Sequence, residues 1–280
     1  MSGILATCAA VASIAAIAQA AKEPVESGIF ALFGGTQVAK AELRSAPANG
    51  GGLNVRVRQF QSDGKTAIVA YSVTGERTMQ MSVVRDDLTT FKHVNTSIDA
   101  TTGTFHATLT GLDPAHRYYL FADSIPATMN EQVFLFNVQA EHIPAVPPAA
   151  TLAASSKNFS VGAYNVALGE TSIAANQPSK LLIGVKEHGK MAWDLEPYQG
   201  APAFAVMINA QTLQYIHVKP YIRGTSGAAA RSDAMGGTPQ AGPYMTADLP
   251  ALPAGAYKLW IQIRGGGGKL YTAPFTIVTE

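Results

Sequence analysis

The stretch LNVRVRQF, residues 53–60, alternates apolar and polar side chains from Leu53 to Arg58. Leu53, Val55 and Val57 share one face, because successive side chains of a strand point to opposite sides. The following SDGK, residues 62–65, is typical of a tight turn between antiparallel strands. These residues predict an antiparallel sheet with one face buried in a core and one face in water.

Similar short strand patterns recur along the whole chain. The composition fits them, since 26 Gly and 16 Pro separate short apolar runs. Strands at close spacing without helical crossovers predict antiparallel β-sandwiches of the Ig-like or cupredoxin-like kind. The runs are AIVAYSV, TMQMSVV, GTFHATL, RYYLFAD and QVFLFNV in the first half, and AFAVMI, LQYIHV, YKLWIQI and APFTIV in the second.

The two halves are also similar to each other. Tyr118 and Val138 are 20 residues apart in the first half, and Tyr257 and Ile277 are 20 residues apart in the second. Equal spacing of matching strand residues indicates a repeat of one structural unit. We therefore predict an all-β protein with two tandem sandwiches.

The composition of the connecting segments sets the predicted domain boundaries. We place the first sandwich at residues 41–142, a Pro- and Ala-rich linker at 143–156 and the second sandwich at 157–280. Residues 21–40 are apolar and interrupted by Gly, and the sequence assigns them to neither domain. Residues 221–243 are rich in Gly and Ala and lengthen the second unit, which predicts a surface loop.

The N-terminus, residues 1–20, reads as an export signal. An apolar stretch ends in Ala18-Gln19-Ala20, a small-x-small cleavage pattern, although no positive charge precedes it. The alternative is an uncleaved membrane anchor. Cleavage would remove Cys8, the single cysteine, and leave no disulfide. We expect an exported protein in the periplasm, at the cell surface or outside the cell, with membrane contact only through this segment if it stays attached.

The charge pattern and the motifs exclude several functions. Charged residues make up 14% of the chain and the net charge is +1, which argues against a nucleic-acid partner. No nucleophile elbow, zinc-protease motif or phosphate loop is present. The GGGG run at 265–268 joins two predicted strands, so no helix follows that could cradle phosphate. We predict no catalytic residues and no enzymatic activity.

Several strings resemble a known group of domains. They are DLEPYQG at 194–200, YIHVKP at 215–220 and GAYKLWIQIRGGGGKLYTAPFTI at 255–277, with VVRDDLTTFKHV at 83–94 and RYYLFADSIPATMNEQVFLFNV at 117–138 in the first unit. They resemble a family of exported bacterial tandem Ig-like or cupredoxin-like sandwiches, some of which are associated with copper or heavy-metal efflux. The resemblance implies the fold and an exported location. Members of that family often carry His-x-His where this chain has His-Val-Asn and His-Val-Lys.

A short pattern of aromatic, any residue, His, Val occurs once in each half and supplies the candidate metal ligands. They are His93 and His217, with Met81 and Met207 as thioether donors and copper as the ion. In the alternative interpretation, each histidine is satisfied by a backbone carbonyl and each methionine fills core space. Otherwise we expect no cofactor.

Acidic pairs and aromatic residues are the remaining candidates. Asp86-Asp87 and Asp194 with Glu196 fit turn chemistry, with Ca²⁺ binding as the alternative. Phe121 and Trp260, on matching strands, predict either a partner contact or packing of one domain on the other.

Together these features favour a non-catalytic exported protein with a structural or protein-interaction role, which includes self-association at its sheet surfaces. The alternative function is periplasmic binding of copper or another heavy metal, associated with metal resistance.

Overall fold

The structure is a computed structural model, and it describes residues 24–49, 51–138, 152–222 and 241–280. The predicted export signal, most of the linker and most of the loop at 221–243 lie outside these residues. The described chain forms strands, bridges and turns, which confirms the all-β prediction. In this part of the chain there is no helix with the length and hydropathy that a membrane span needs.

Eleven strands build the first sandwich from two sheets. One sheet has the order β1-β3-β4-β9-β8, and the other has the order β2-β11-β10-β6-β7 with β5 paired to β10. The strands are β1 (Val25–Ser27), β2 (Ile29–Phe30), β3 (Lys40–Pro47), β4 (Leu53–Phe60), β5 (Tyr71–Ser72), β6 (Met79–Arg85), β7 (Phe91–Val94), β8 (Ser97–Asp99), β9 (Thr104–Leu109), β10 (Tyr118–Pro126) and β11 (Gln132–Val138).

The second sandwich repeats this arrangement. Its sheets have the orders β12-β13-β15-β20-β19, with β16 paired to β15, and β14-β22-β21-β17-β18. The strands are β12 (Asn158–Val161), β13 (Tyr164–Leu168), β14 (Ser172–Ile173), β15 (Ser179–Glu187), β16 (Lys190–Met191), β17 (Phe204–Asn209), β18 (Tyr215–Val218), β19 (Tyr221–Ile222), β20 (Tyr244–Leu249), β21 (Gly255–Arg264) and β22 (Leu270–Thr279).

Corresponding strands occupy corresponding places in the two sandwiches. Strands β11, β10, β6 and β7 match β22, β21, β17 and β18 in order and in antiparallel pairing. The two sheets differ at one edge strand, since β2 is antiparallel to β11 whereas β14 is parallel to β22. The two halves of the chain therefore share one topology, as the matching sequence spacing predicts.

Each sandwich has its own core, and a third apolar cluster joins the two. The first core includes Val57 and Phe105, and the second includes Val185 and Phe275. The third cluster, which includes Trp260, lies between two sheets, one from each sandwich: β2-β11-β10-β6-β7 and β14-β22-β21-β17-β18. We call these two the inner sheets, because they pack against each other. Both faces of an inner sheet are covered, which explains why all but the last residue of β6 and every residue of β17 are buried, whereas burial alternates along most of β4.

The segment at 21–40, unassigned from sequence, contributes to the first sandwich. Val25–Ser27 pairs with β3, and Ile29–Phe30 pairs with β11. The chain then reaches the second sandwich, where the Tyr215 N–H donates to the Ala31 carbonyl at 2.8 Å and the Phe33 N–H donates to the Tyr215 carbonyl at 2.9 Å. The first sandwich therefore includes residues before position 41, and this segment also covers an edge of the second.

The end of the predicted linker binds the second sandwich. Leu152 packs against the apolar cluster between the inner sheets. The Ser155 N–H donates to the Thr276 carbonyl at 3.1 Å, and the Thr276 N–H donates to the Ser155 hydroxyl at 3.0 Å. These residues are thus held against β22.

Candidate functional site at the domain interface

Two ring stacks cross the contact between the inner sheets. Phe91 stacks on Trp260 with ring centroids 5.2 Å apart, and Phe121 stacks on Tyr215 at 5.3 Å. Phe91 and Tyr215 hold corresponding places in β7 and β18, and Phe121 and Trp260 do so in β10 and β21. The two stacks are therefore copies of one contact, as expected of an approximately two-fold, isologous interface.

This interface brings together the two histidines that the sequence singles out. His93 on β7 and His217 on β18 lie on the same strand faces as the stacked aromatic residues, two positions away. Phe204 contacts both of them, with its ring stacked on His93 at 4.4 Å and tilted against His217 at 5.4 Å. A sequence repeat has thus placed two matching imidazoles against one buried ring.

His93 is part of a hydrogen-bonded chain that joins the sandwiches. The Tyr198 hydroxyl lies 3.0 Å from His93 Nδ1, and Gln80 Oε1 lies 2.7 Å from Nε2. The Gln80 amide also donates to Gln199 Oε1 at 3.2 Å. A neutral ring with its proton on Nε2 satisfies every one of these contacts, with Tyr198 as donor and Gln80 as acceptor. Burial, with the nearby Arg77 and His217 charges, lowers the pKa of His93 to about 4.

His217 has a charged environment instead. Its Nδ1 lies 3.1 Å from Asp123 Oδ2 and 3.3 Å from Glu131 Oε1. Burial by itself disfavours the imidazolium, but the two adjacent carboxylates outweigh it and raise the pKa of His217 to about 9. Burial raises the pKa of Asp123, whereas His217 and then Lys219, 3.8 Å away, lower that of Glu131 despite its burial.

The strand pairings explain why the two histidines differ. Asp123 pairs with Gln80 across β10 and β6, and the corresponding pair across β21 and β17 is Gln262 with Phe204. The first unit therefore supplies a carboxylate to His217, where the second unit has an amide for His93. Glu131, in the turn before β11, adds the second carboxylate.

The predicted methionine donors lie elsewhere. Met81 is fully buried in the core of the first sandwich, and Met207 is fully buried in the core of the second. Each methionine lies on the opposite face of its inner sheet from the histidines, because it is one residue out of phase with the positions that face the interface. The structure thus brings His93 and His217 into one region and keeps Met81 and Met207 apart from them. The copper site itself stays a prediction.

The DLEPYQG string positions this region. Asp194 accepts a hydrogen bond from the Gly266 N–H at 3.0 Å and from the Tyr164 hydroxyl, and Glu196 accepts one from the Gly267 N–H at 3.0 Å. The two acids therefore hold the glycine-rich turn, as turn chemistry predicts. Tyr198, further along the string, then reaches His93. In the other acidic pair, Asp87 binds Arg85 and caps the turn at Thr89.

Sequence reasoning did not single out Asp123, Glu131, Gln80 or Tyr198. One signal was available for the first of these. Asp123 is the one charged residue in the apolar string YYLFAD, residues 118–123, and a carboxylate within a buried strand requires a partner. No comparable local pattern identifies Glu131.

We expect the free energy of unfolding to fall as the pH is lowered from about 6.5 to 4, with about 2–3 kcal/mol of the loss due to His93. Its pKa is lowered to about 4 in the folded chain, so in this window the unfolded chain binds a proton that the folded chain does not. Arg77 and His217, the charged groups facing the ring, both oppose protonation. Urea unfolding at several pH values measures the slope.

His93→Gln should flatten that slope, whereas His106→Gln, on an exposed position of β9, should leave it unchanged. Equal slopes in the wild type and in His93→Gln would contradict the assignment.

The fold and this region define a two-domain β-sandwich protein with a polar cluster buried between its domains. Residues 159–280 match the model of a family described as "Domain of unknown function (DUF8832)", which is less than half of the chain. Comparison with curated proteins found no match. Among solved structures, the chain is similar to "Crystal structure of Dpr2 Ig1-Ig2 in complex with DIP-Theta Ig1-Ig3", with 12% identity over 90% of this chain and 98% of that chain. The TM-score of this comparison is 0.22.

Proposed function

We propose that the chain is a non-catalytic, exported protein of the cell envelope or the extracellular space, which binds a second copy of itself through an exposed sheet surface. The observation that carries the self-association is the exposure of Trp193, whose accessible surface is 75% of its maximum. Tryptophan supplies a large apolar contact area and is enriched among the residues that dominate binding energy.

The backbone around Trp193 is held firmly. Ala192 before it is fully buried, and Asp194 after it is bound by the Gly266 N–H and the Tyr164 hydroxyl. A side chain displayed from a fixed backbone loses less conformational entropy on binding than one on a loose loop. Trp193 is therefore well placed to act as an anchor.

Neighbouring residues extend the apolar area. Leu182 is 43% exposed and Tyr244 is 51% exposed, on the outward face of the second sandwich. The Ala192 N–H donates a hydrogen bond to the Val185 carbonyl, and the Val185 N–H donates one to the Pro243 carbonyl. The chain segments that carry Trp193 and Tyr244 therefore both bind β15 at Val185. We call Trp193, Tyr244 and Leu182 the Trp193 surface.

The charges around this surface suit a second copy of the chain. Lys180 and Asp248, next to Leu182 on β15 and β20, form an exposed ion pair, so both signs of charge border the apolar residues. A surface that carries both signs meets its own copy without a net repulsion, and the whole chain has a net charge of only +1. A strongly charged partner would not find a surface of opposite net charge here.

The remaining parts of the proposal have their own support. Export is supported by the signal-like residues 1–20. A non-catalytic role is supported by the use of His93 and His217, the histidines with shifted pKa values, as packed contacts between domains.

We expect sedimentation-equilibrium measurements of the purified chain to show concentration-dependent dimers, and Trp193→Ala to weaken the dimer by about 30-fold or more, the effect typical of an anchor residue. Ile29→Ala is the matched control, because Ile29 is 60% exposed on the first sandwich. A wild-type chain that stays monomeric at the highest concentration, or a Trp193→Ala dimer as tight as the wild type, would refute self-association through this surface.

A further inference from the structure

Three side chains that can bind a metal converge between the sandwiches. Asp123 lies on β10, Glu131 in the turn before β11, and His217 on β18 of the other domain. One donor atom of each lies within 4.8 Å of the others. Two carboxylates and an imidazole from three separate elements thus surround one point.

The spacing of these atoms suits a small tetrahedral ion. Zinc binds imidazole nitrogen and carboxylate oxygen at about 2.0–2.2 Å, so two ligands of a tetrahedral ion lie about 3.3–3.5 Å apart. His217 Nδ1 lies 3.1 Å from Asp123 Oδ2 and 3.3 Å from Glu131 Oε1. Both distances from His217 are therefore within a few tenths of an ångström of the spacing that a tetrahedral ion requires.

A second observation points to a ligand at the same place. Asp123 is only 4% exposed, and its Oδ2 atom accepts no hydrogen bond of acceptable geometry from the described residues although it is directed at His217. A buried carboxylate oxygen without a hydrogen bond is costly, and a cation at this point would satisfy it.

We propose that Asp123, Glu131 and His217 bind one divalent cation of the zinc type, which links the two sandwiches. The ion takes the place of the proton on Nδ1, which passes to solvent, and leaves a fourth position for water. The side chains of His217 and Glu131 retain 12% and 22% exposure, which provides access from solvent. Mixed imidazole and carboxylate donors favour zinc over the soft Cu(I) that methionine ligands would select.

The duplicated half provides an internal comparison. Gln262 corresponds to Asp123 and His93 to His217, so the related position in the other half has an amide instead of a carboxylate. An amide carries no negative charge to hold the ion. The ion therefore binds on the His217 side alone, and its binding is independent of self-association through the Trp193 surface.

Calorimetric titration of the metal-free chain with Zn²⁺ tests this site. We expect one ion per chain, and a loss of affinity of at least about 100-fold in Glu131→Gln and in His217→Ala. Glu131→Gln is the more decisive variant, because it keeps the shape of a partly exposed side chain. Cobalt provides a second probe, since Co²⁺ in a tetrahedral site absorbs strongly in the visible range, and this absorption should be absent in Glu131→Gln.

Two control variants test whether histidines outside this site contribute to Zn²⁺ binding. His93→Gln and His106→Ala should bind Zn²⁺ as the wild type does. Zn²⁺ should also raise the melting temperature of the wild type but not of Glu131→Gln, because only a ligand of the folded state stabilises it. A flat titration at 100 µM Zn²⁺, a concentration of about 10⁻⁴ M at which a site of this kind would be filled, or unchanged binding by Glu131→Gln, would overturn the proposal.

Discussion

Replacement of Trp260 by alanine is expected to lower the free energy of unfolding by about 3–5 kcal/mol. Trp260 is 2% exposed, and its ring stacks on Phe91 across the domain interface with an interplanar angle of 21°. Truncation would remove the largest buried side chain of the cluster between the inner sheets and leave a cavity that two rigid sheets cannot close. The loss therefore combines transfer and cavity contributions.

Urea unfolding followed by circular dichroism measures this effect. The chain contains two tryptophans, so the matched control is Trp193→Ala, which removes an exposed ring. At a protein concentration at which the chain is monomeric, this variant should change stability by no more than about 0.5 kcal/mol. Similar losses in the two variants would mean that the interface contributes little to stability. Two separate transitions in Trp260→Ala, with one in the wild type, would show that this ring also couples the unfolding of the domains.

Replacement of His217 by alanine is expected to cost about 3–5 kcal/mol in metal-free buffer at neutral pH. His217 provides the positive charge next to Asp123 and Glu131, and its pKa is raised to about 9, so it is protonated at pH 7. Its side chain is 12% exposed and that of Asp123 is 4% exposed. Removal of the imidazolium would leave two carboxylates close together without their main partner.

A double-mutant cycle separates the charge from the packing. In the background of Asp123→Asn, which removes one buried charge and keeps its shape, His217→Ala should cost clearly less. His106→Ala, at an exposed position of β9, should be close to neutral. If His217→Ala costs the same in both backgrounds, the ion pair does not contribute and only ring packing against Phe204 remains.

Much of the fold could be predicted from sequence, because its cause is local. The alternation in LNVRVRQF predicts β4 with one buried face, and the structure has Leu53, Val55 and Val57 in the core of the first sandwich. The repeat also predicts the equal topology of the two halves. The boundary at residue 41 was less accurate, because β1 and β2 are only three and two residues long and carry too little pattern to recognise.

The residues of the domain interface could be identified only from the tertiary structure. Phe121 and Trp260 were compatible with a partner contact or with domain packing, and the structure places both between the inner sheets. Which domain surface covers an apolar residue depends on how two whole sheets pack. Neither residue's local sequence contains that information.

The same reason limits what could be foreseen of the candidate site. The two histidines stand out because their short pattern is repeated, but Glu131 lies 86 residues before His217 in the chain. The methionines are near the histidines in the sequence. They nevertheless lie in the two separate cores, because successive side chains of a strand point to opposite faces of the sheet.

The sequence by itself thus determined that this protein consists of strands, that one unit occurs twice and that each unit carries a matching histidine, because backbone geometry and side-chain polarity set these features residue by residue. Only the tertiary structure decided that the two histidines contact the same ring of Phe204, and that one has carboxylates as neighbours while the other has amides and a tyrosine. Those surroundings come from residues that are distant in the chain, and the packing of two complete sheets brings them together.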